Sequence, residues 1–133
     1  MRSRELAELL LRKASQDEFA LAKLGPDPAC PDEVLGFHAQ QAVEKMLKAV
    51  LAIRSVRYRK THDLVELNDL IRQNGIRFPP GLEEIRRLTP FAAEFRYDDL
   101  DTEREPPFDR SWATTIVARA RTWVESILGG EVG

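Results

Sequence analysis

Apolar residues recur every three or four positions along most of the chain, which is the spacing of one face of an α-helix. The first such run begins near Ser3, a predicted N-cap, and ends at Gly25. Within this run Asp17 projects onto the apolar face, between Leu6 and Leu10. A carboxylate on a buried face needs a partner, so the pattern predicts an ion pair inside the protein.

A second run, from Glu33 to Arg54, carries an apolar arc wider than a surface helix needs, and Asp32 precedes it as the predicted N-cap. We therefore expect this helix to be central. Gln40 projects between Leu47 and Leu51, so it is predicted to be buried and hydrogen-bonded. The narrow polar strip of the helix is either a solvated face or the wall of a site, and it consists of His38, Gln41, Glu44, Lys45 and Lys48.

Three shorter amphipathic runs follow. Thr61 is placed to cap a third helix, and Pro90 inside the fourth predicts a kink or a restart. Arg96 projects onto the inner face of the fourth helix and is the candidate partner of Asp17. The last helix is expected from about Asp109 to Leu128.

Five helices joined by mostly short connections predict an all-α fold, an antiparallel up-and-down bundle with a four-helix core. A length of 133 residues fits one such unit, so residues 1–133 are expected to be a single helical domain. Residues 98–107 are acidic and poor in apolar side chains, which predicts an exposed loop. Residues 129–133 are predicted to be a flexible tail.

Composition excludes several classes of function. A formal net charge of -2 argues against binding nucleic acid by bulk charge, so such a role needs a local patch. Cys30 is the only cysteine, which leaves no disulfide framework and no paired-thiol metal site. The triplet Asp98, Asp99 and Asp101 is interpreted as a solvated acidic loop, and we expect no metal and no cofactor. No apolar run approaches membrane-spanning length, so we expect a cytoplasmic protein without membrane contact.

Positive charge concentrates in residues 54–62, named here the basic turn, through Arg54, Arg57, Arg59 and Lys60. Tyr58 offers a stacking surface, and the start of the third helix points backbone N–H groups outward, so phosphate could bind there. A structural interpretation stays open: the arginines are solvated, Thr61 caps the helix, and His62 packs against the second helix, with Asp63 in a favourable first-turn position.

The run FHAQQAVEKMLKAVLA followed by KTHDL, with the Asp17 helix before it and FRYDD after it, resembles the HEPN domain family over nearly the whole chain. The resemblance implies a small helical bundle, a nucleotide- or RNA-binding role and a homodimer. Many members are encoded beside a minimal nucleotidyltransferase as toxin–antitoxin pairs. The resemblance therefore implies such a nucleotidyltransferase as a partner protein.

Some members of the family are metal-independent ribonucleases that carry an R-x-x-x-x-H motif, and Arg57 and His62 match its spacing. In that chemistry the histidine exchanges protons with the ribose 2′-hydroxyl or the leaving oxygen, and the arginine stabilises charge on the phosphate. This chain departs from the pattern, because Tyr58 follows the arginine and the motif lies in a turn. Three functions stay open: a nucleotide- or RNA-binding partner of a nucleotidyltransferase, a metal-independent endoribonuclease, or a non-catalytic interaction module.

The FRYDD segment resembles the family's later Arg-Tyr motif. Arg96 is interpreted first as the internal partner of Asp17 and second as a ligand contact. A continuous electropositive groove is expected along the second helix and the basic turn. The predicted nucleotide- or RNA-binding residues are Lys45, Lys48, Arg57, Tyr58, Arg59, Lys60, Asp63 and Tyr97.

Overall fold

A computed structural model of the protein describes residues 2–92 and 108–130. Within these ranges the chain forms helices and no strand, which confirms the predicted all-α bundle. Arg96, Tyr97 and the acidic segment 98–107 lie outside the described residues, as do residues 131–133. The elements are α1 (Arg2–Leu24), α2 (Asp32–Ile53), α3 (Leu64–Gln73), a 3-10 helix (Leu82–Phe91) and α4 (Arg110–Gly130).

Helix α2 is the centre of the bundle. It packs against α1, α3, α4 and the 3-10 helix, and Met46, Leu47 and Leu51 on it are fully buried. At Gly36 the missing side chain leaves room for the ring of Phe91, which would overlap any added Cβ atom. The apolar arc of α2 is wide because this helix contacts every other described helix.

Helix α1 packs mainly on α2, through Ala7, Ala14 and Leu21. Small side chains at two of these positions let the two helix backbones approach closely. The buried stripe therefore passes through Ala7, and the inward position predicted for Leu6 is wrong, since Leu6 is 42% exposed. Ser3 lies inside the helix rather than at its N-cap.

The predicted caps of α2 and α3 are also wrong. Pro31 is the N-cap of α2 and makes no side-chain cap hydrogen bond. The carboxylate of Asp32 accepts instead from Arg110, with an N···O distance of 3.1 Å. Asp63 caps α3 by accepting from the Val65 amide at 2.9 Å, while the Thr61 hydroxyl accepts from the Asp63 amide at 3.0 Å.

The expected fourth α-helix is a 3-10 helix. Its buried side chains recur every third residue, at Leu82, Ile85, Leu88 and Phe91. A 3-10 helix has three residues per turn, so this spacing places all four on one line toward the core. Pro90 is the second-to-last residue of this helix, so its missing N–H removes one hydrogen bond near the end and interrupts no following turn.

Helix α4 fastens the connection between α1 and α2. The guanidinium of Arg110 donates to three backbone carbonyls of that connection, those of Gly25, Asp27 and Cys30. The helix continues to Gly130, so the first two residues of the predicted tail belong to it. None of the described helices is both long enough and apolar enough to cross a membrane.

Candidate functional site

A buried carboxylate on α2 organises the surroundings of the basic turn. The Glu44 side chain is 5% exposed, and its oxygens accept from Gln40 Nε2 at 2.8 Å and from Lys48 Nζ at 2.9 Å. The third neighbour is His62, whose Nδ1 lies 2.9 Å from Glu44 Oε1. We name these four residues together with Tyr58 the Glu44 cluster. A buried charge with several hydrogen-bonded partners is a stable arrangement.

The Glu44 carboxylate sets the tautomer of His62. An ionised carboxylate only accepts hydrogen bonds, so Nδ1 of His62 carries the proton in this contact. In the neutral form of the imidazole, Nε2 then has a free lone pair, and the side chain is 39% exposed. Gln40 also donates to the His62 carbonyl at 3.0 Å, which holds the backbone of the turn in place. The geometry presents a fixed imidazole whose outer nitrogen can accept a proton.

Tyr58 lies against the same carboxylate. Its ring is half-buried, and Lys48 Nζ lies 5.8 Å from the ring centroid. Burial, and in second place the charge of Glu44, raise the pKa of the Tyr58 hydroxyl above its ordinary value of 10.0. Tyr58 is therefore neutral at physiological pH, with a lysine already placed over its ring.

A second buried carboxylate lies farther toward the start of α2. Asp17 on α1 is 8% exposed, and it accepts from Lys45 Nζ at 2.6 Å. Nδ1 of His38 lies 3.1 Å from the other carboxylate oxygen. Asp17 is thus paired inside the protein by residues of α2, and Arg96, the partner expected from sequence, lies outside the described residues.

The polar strip of α2 and the basic turn do not form the continuous positive groove expected from sequence, because carboxylates pair with several of their cations. Lys45 and Lys48 pair with Asp17 and Glu44, as described above. Arg59 forms two hydrogen bonds of 2.7 Å with Glu66. Arg57 and Lys60 are exposed and make no hydrogen bond or ion pair to a described residue. The positive charge that is not neutralised therefore centres on these two side chains.

The structure brings some predicted site residues together and leaves others apart. Within the described ranges no hydrogen bond links Arg57 to His62. Asp63 is used as the cap of α3, and Tyr97 lies outside the described residues. Glu44 is the functional residue that sequence reasoning placed on the polar strip without a role. Its position four residues after the buried Gln40 and four before Lys48 was the available signal.

Comparison with known proteins places most of the chain in one family. A family model described as "HEPN domain" matches residues 7–129, from the first turns of α1 almost to the end of α4. No curated protein and no solved structure matches the chain. The match therefore includes all or most of each described helix and both buried carboxylates, Asp17 and Glu44.

Proposed function

The chain belongs to the HEPN domain family, and from this premise we propose that it binds nucleotide or RNA through phosphate contacts at the basic turn. Family membership supports a nucleotide- or RNA-related or nuclease-type role. The observation that carries the choice of site is the pair Arg57 and Lys60, two exposed cations with no partner among the described residues. Phosphate oxygens are the acceptors that such side chains bind best.

The surroundings of these cations support a phosphate site. The Glu44 cluster ties the turn to α2 through the hydrogen bonds at His62 and the contact of Lys48 with Tyr58, so the cations project from an anchored backbone. The exposed edge of His62 lies within two residues of Lys60 along the chain. A phosphate at Arg57 and Lys60 would therefore lie close to a proton-exchanging group.

Salt-dependent RNA binding tests this proposal. Binding of a fluorescently labelled single-stranded RNA should weaken as salt rises, and Arg57→Ala and Lys60→Ala should each reduce the salt slope by about one. Arg86→Ala is the matched control, because Arg86 is exposed on the 3-10 helix and makes no contact with a described partner. An affinity for RNA that does not change with salt contradicts the proposed site. So does a loss of affinity in Arg86→Ala as large as the loss in Arg57→Ala or Lys60→Ala.

The proposal extends to a partner protein. We place this chain as a cytoplasmic homodimer in a toxin–antitoxin-like system with a minimal nucleotidyltransferase, supported by the resemblance of its α2 and KTHDL residues to members so encoded. The identity of the adjacent gene, followed by co-purification of the two proteins, tests this part. A neighbouring gene of another class, with no complex formed, would exclude it.

A second candidate function is metal-independent cleavage of RNA, and the Glu44–His62 hydrogen bond favours it. In this reaction His62 Nε2 takes the proton of a ribose 2′-hydroxyl, and O2′ attacks the adjacent phosphorus. A 2′,3′-cyclic phosphate forms as the bond between phosphorus and the 5′-oxygen breaks, and the leaving 5′-oxygen takes a proton from water. Arg57 would stabilise the added negative charge.

Cleavage assays separate this candidate from simple binding. RNA should be cut in the presence of EDTA, a 2′-deoxy substrate should remain intact, and His62→Ala or Arg57→Ala should abolish cutting in a folded protein. His38→Ala is the matched control, since His38 pairs with Asp17 in the other cluster. Cutting that persists without His62 refutes the assignment, and a protein that neither binds nor cuts RNA is a pure interaction module.

A further inference from the structure

One outward stripe of α1 has the spacing of a helix–helix contact. Its members follow one another at alternating intervals of four and three residues, which places them on a single line along the helix. All six are exposed, and two are large apolar side chains, Leu9 at 40% and Phe19 at 65% exposure. We name this stripe the α1 seam; it consists of Glu5, Leu9, Arg12, Gln16, Phe19 and Lys23.

The described residues give the apolar part of the α1 seam little cover. Helix α1 packs on α2 with its opposite face, through Ala7, Ala14 and Leu21. Over Phe19 lies the ammonium of Lys23, 5.6 Å from the ring centroid. Leu6, 42% exposed, flanks the seam and extends its apolar surface. A cluster of large exposed apolar side chains on one helix is typical of an interaction surface.

The charges of α1 point to the same stripe. Helix α1 contains four acidic residues, and three of them are paired within the chain: Glu8 with Arg4, Asp17 with Lys45, and Glu18 with Arg121. Glu5, the fourth, lies on the seam and has no ion pair within the described ranges. Arg12 and Gln16 likewise bond to no described residue. Glu5, Arg12 and Gln16 therefore have no described partner that would compete with an outside one.

We propose that the α1 seam is the interface of a homodimer, with α1 of a second copy packed antiparallel about a two-fold axis beside position 14. In this register each seam residue faces one of complementary chemistry. Glu5 meets the partner's Lys23, Leu9 meets the partner's Phe19, and Arg12 meets the amide oxygen of the partner's Gln16. Each contact occurs twice because the interface is isologous.

The charge pattern selects the antiparallel direction. In a parallel pair Glu5 would face Glu5, Arg12 would face Arg12 and Lys23 would face Lys23, so every charged contact of the seam would be repulsive. Like charges across an interface cost free energy, whereas the antiparallel register removes all three clashes. The second copy of this chain is thus the occupant that the seam fits.

This inference rests on the homodimer of the proposed function but not on its ligand. Ser3, at the start of α1, contacts Ser55 in the basic turn through hydroxyls 3.2 Å apart. An antiparallel dimer places the two starts of α1 at opposite ends of the interface, about 30 Å apart at 1.5 Å per residue. The two basic turns would therefore lie at opposite ends of the dimer, where one RNA strand could contact both.

Sedimentation equilibrium of the full chain tests the interface. The protein should form dimers, and Leu9→Glu and Phe19→Glu should each raise the dimer dissociation constant roughly tenfold or more, because a charge replaces a buried apolar contact twice per dimer. Val65→Glu is the matched control, since Val65 is 42% exposed on α3. Circular dichroism verifies that the variants fold. A wild-type monomer, or a dimer indifferent to both seam variants, overturns the proposal.

Exchange of the paired charges tests the register. Glu5→Lys and Lys23→Glu should each weaken the dimer about fivefold, and the double variant should restore it, because two ion pairs are lost and then re-formed with reversed polarity. Additive weakening in the double variant would contradict the pairing. RNA binding by the Arg57→Ala protein is measured separately from dimerisation of the seam variants. Failure of the interface and failure of the phosphate site are therefore distinguishable.

Cysteine cross-linking tests the direction. Leu9→Cys mixed with Phe19→Cys should form a mixed disulfide, whereas neither variant alone should cross-link through its seam cysteine. Identical seam residues lie about 15 Å apart in the antiparallel register, beyond the reach of a disulfide. The natural Cys30 is buried, and the wild-type protein gives the background level of cross-linking. Efficient cross-linking of Leu9→Cys with itself indicates a parallel pair and overturns the proposal.

Discussion

The carboxylate of Glu44 and the imidazole of His62 lie 2.9 Å apart, although 18 residues separate them along the chain. This contact ties the turn before α3 to the central helix, and Gln40 supports it by binding both residues. The same hydrogen bond that stabilises the turn also fixes the tautomer of the histidine. Stability of the bundle and preparation of the candidate site therefore depend on one buried carboxylate.

Glu44→Ala should lower the free energy of unfolding by about 3 kcal/mol, because it leaves Lys48 and Gln40 without their buried acceptor. Urea unfolding followed by circular dichroism measures this change. Glu66→Ala is the matched control: it breaks the pair with Arg59, which is 71% exposed, and should cost about 1 kcal/mol or less. Equal costs for the two variants would show that Glu44 is not an energetic centre.

Tyr58 should make the stability depend on pH in alkaline solution. Its pKa in the folded protein is raised above 10.0 by burial and by Glu44, so above pH 10 the unfolded chain loses this proton first. Stability is therefore unaffected by Tyr58 below that pH and falls as pH rises through the folded pKa. The fall should be smaller in Tyr58→Phe, as measured by urea unfolding across the alkaline range.

The pKa of Tyr58 can be measured directly. The chain has two tyrosines, so Tyr97→Phe leaves Tyr58 as the only tyrosinate absorber. Its titration midpoint should lie above 10.0, and removal of the neighbouring charge by Glu44→Gln should bring the midpoint down, while burial keeps part of the shift. A midpoint at or below the ordinary value would contradict the burial of Tyr58 and the effect of the Glu44 charge on it.

Gly36→Ala should destabilise the protein by about 2 kcal/mol, although alanine is the better helix former. The new methyl group would overlap the ring of Phe91 and force the 3-10 helix away from α2. Thermal unfolding measures the loss. Gly129→Ala is the control, because no atom lies within 4 Å of a Cβ there, and it should leave the midpoint unchanged or slightly raised.

Arg110→Ala should loosen the connection between α1 and α2 without unfolding the bundle. The substitution leaves three backbone carbonyls and the Asp32 carboxylate without their shared donor, at a cost of about 2 kcal/mol. Hydrogen exchange should accelerate in residues 25–31 and stay unchanged in α3. Arg119→Ala, which removes one bond to the Pro80 carbonyl, is the control. Unchanged exchange in residues 25–31 would contradict the role assigned to Arg110.

The fold could be predicted well from the sequence because helix formation and burial follow local periodicity. The wide apolar arc of α2 predicted its central place, and spacing alone predicted α4 to within two residues at each end. The helix ends were less predictable. Whether Thr61 or Asp63 caps α3 depends on backbone angles at the turn, and both residue types favour that position.

The sequence by itself determined the helical class, the central helix and the family, since these depend on patterns within short stretches of chain. It did not determine which charges neutralise one another. Lys48 pairs with Glu44 one turn away on the same helix, but Lys45 looks like a free cation on the polar strip and pairs with the buried Asp17 only once α1 and α2 are packed. Only tertiary structure decides such pairings, because a hydrogen bond depends on distances of about 3 Å between residues far apart in sequence. For the same reason the position of Glu44 beside His62 became visible only in the folded chain.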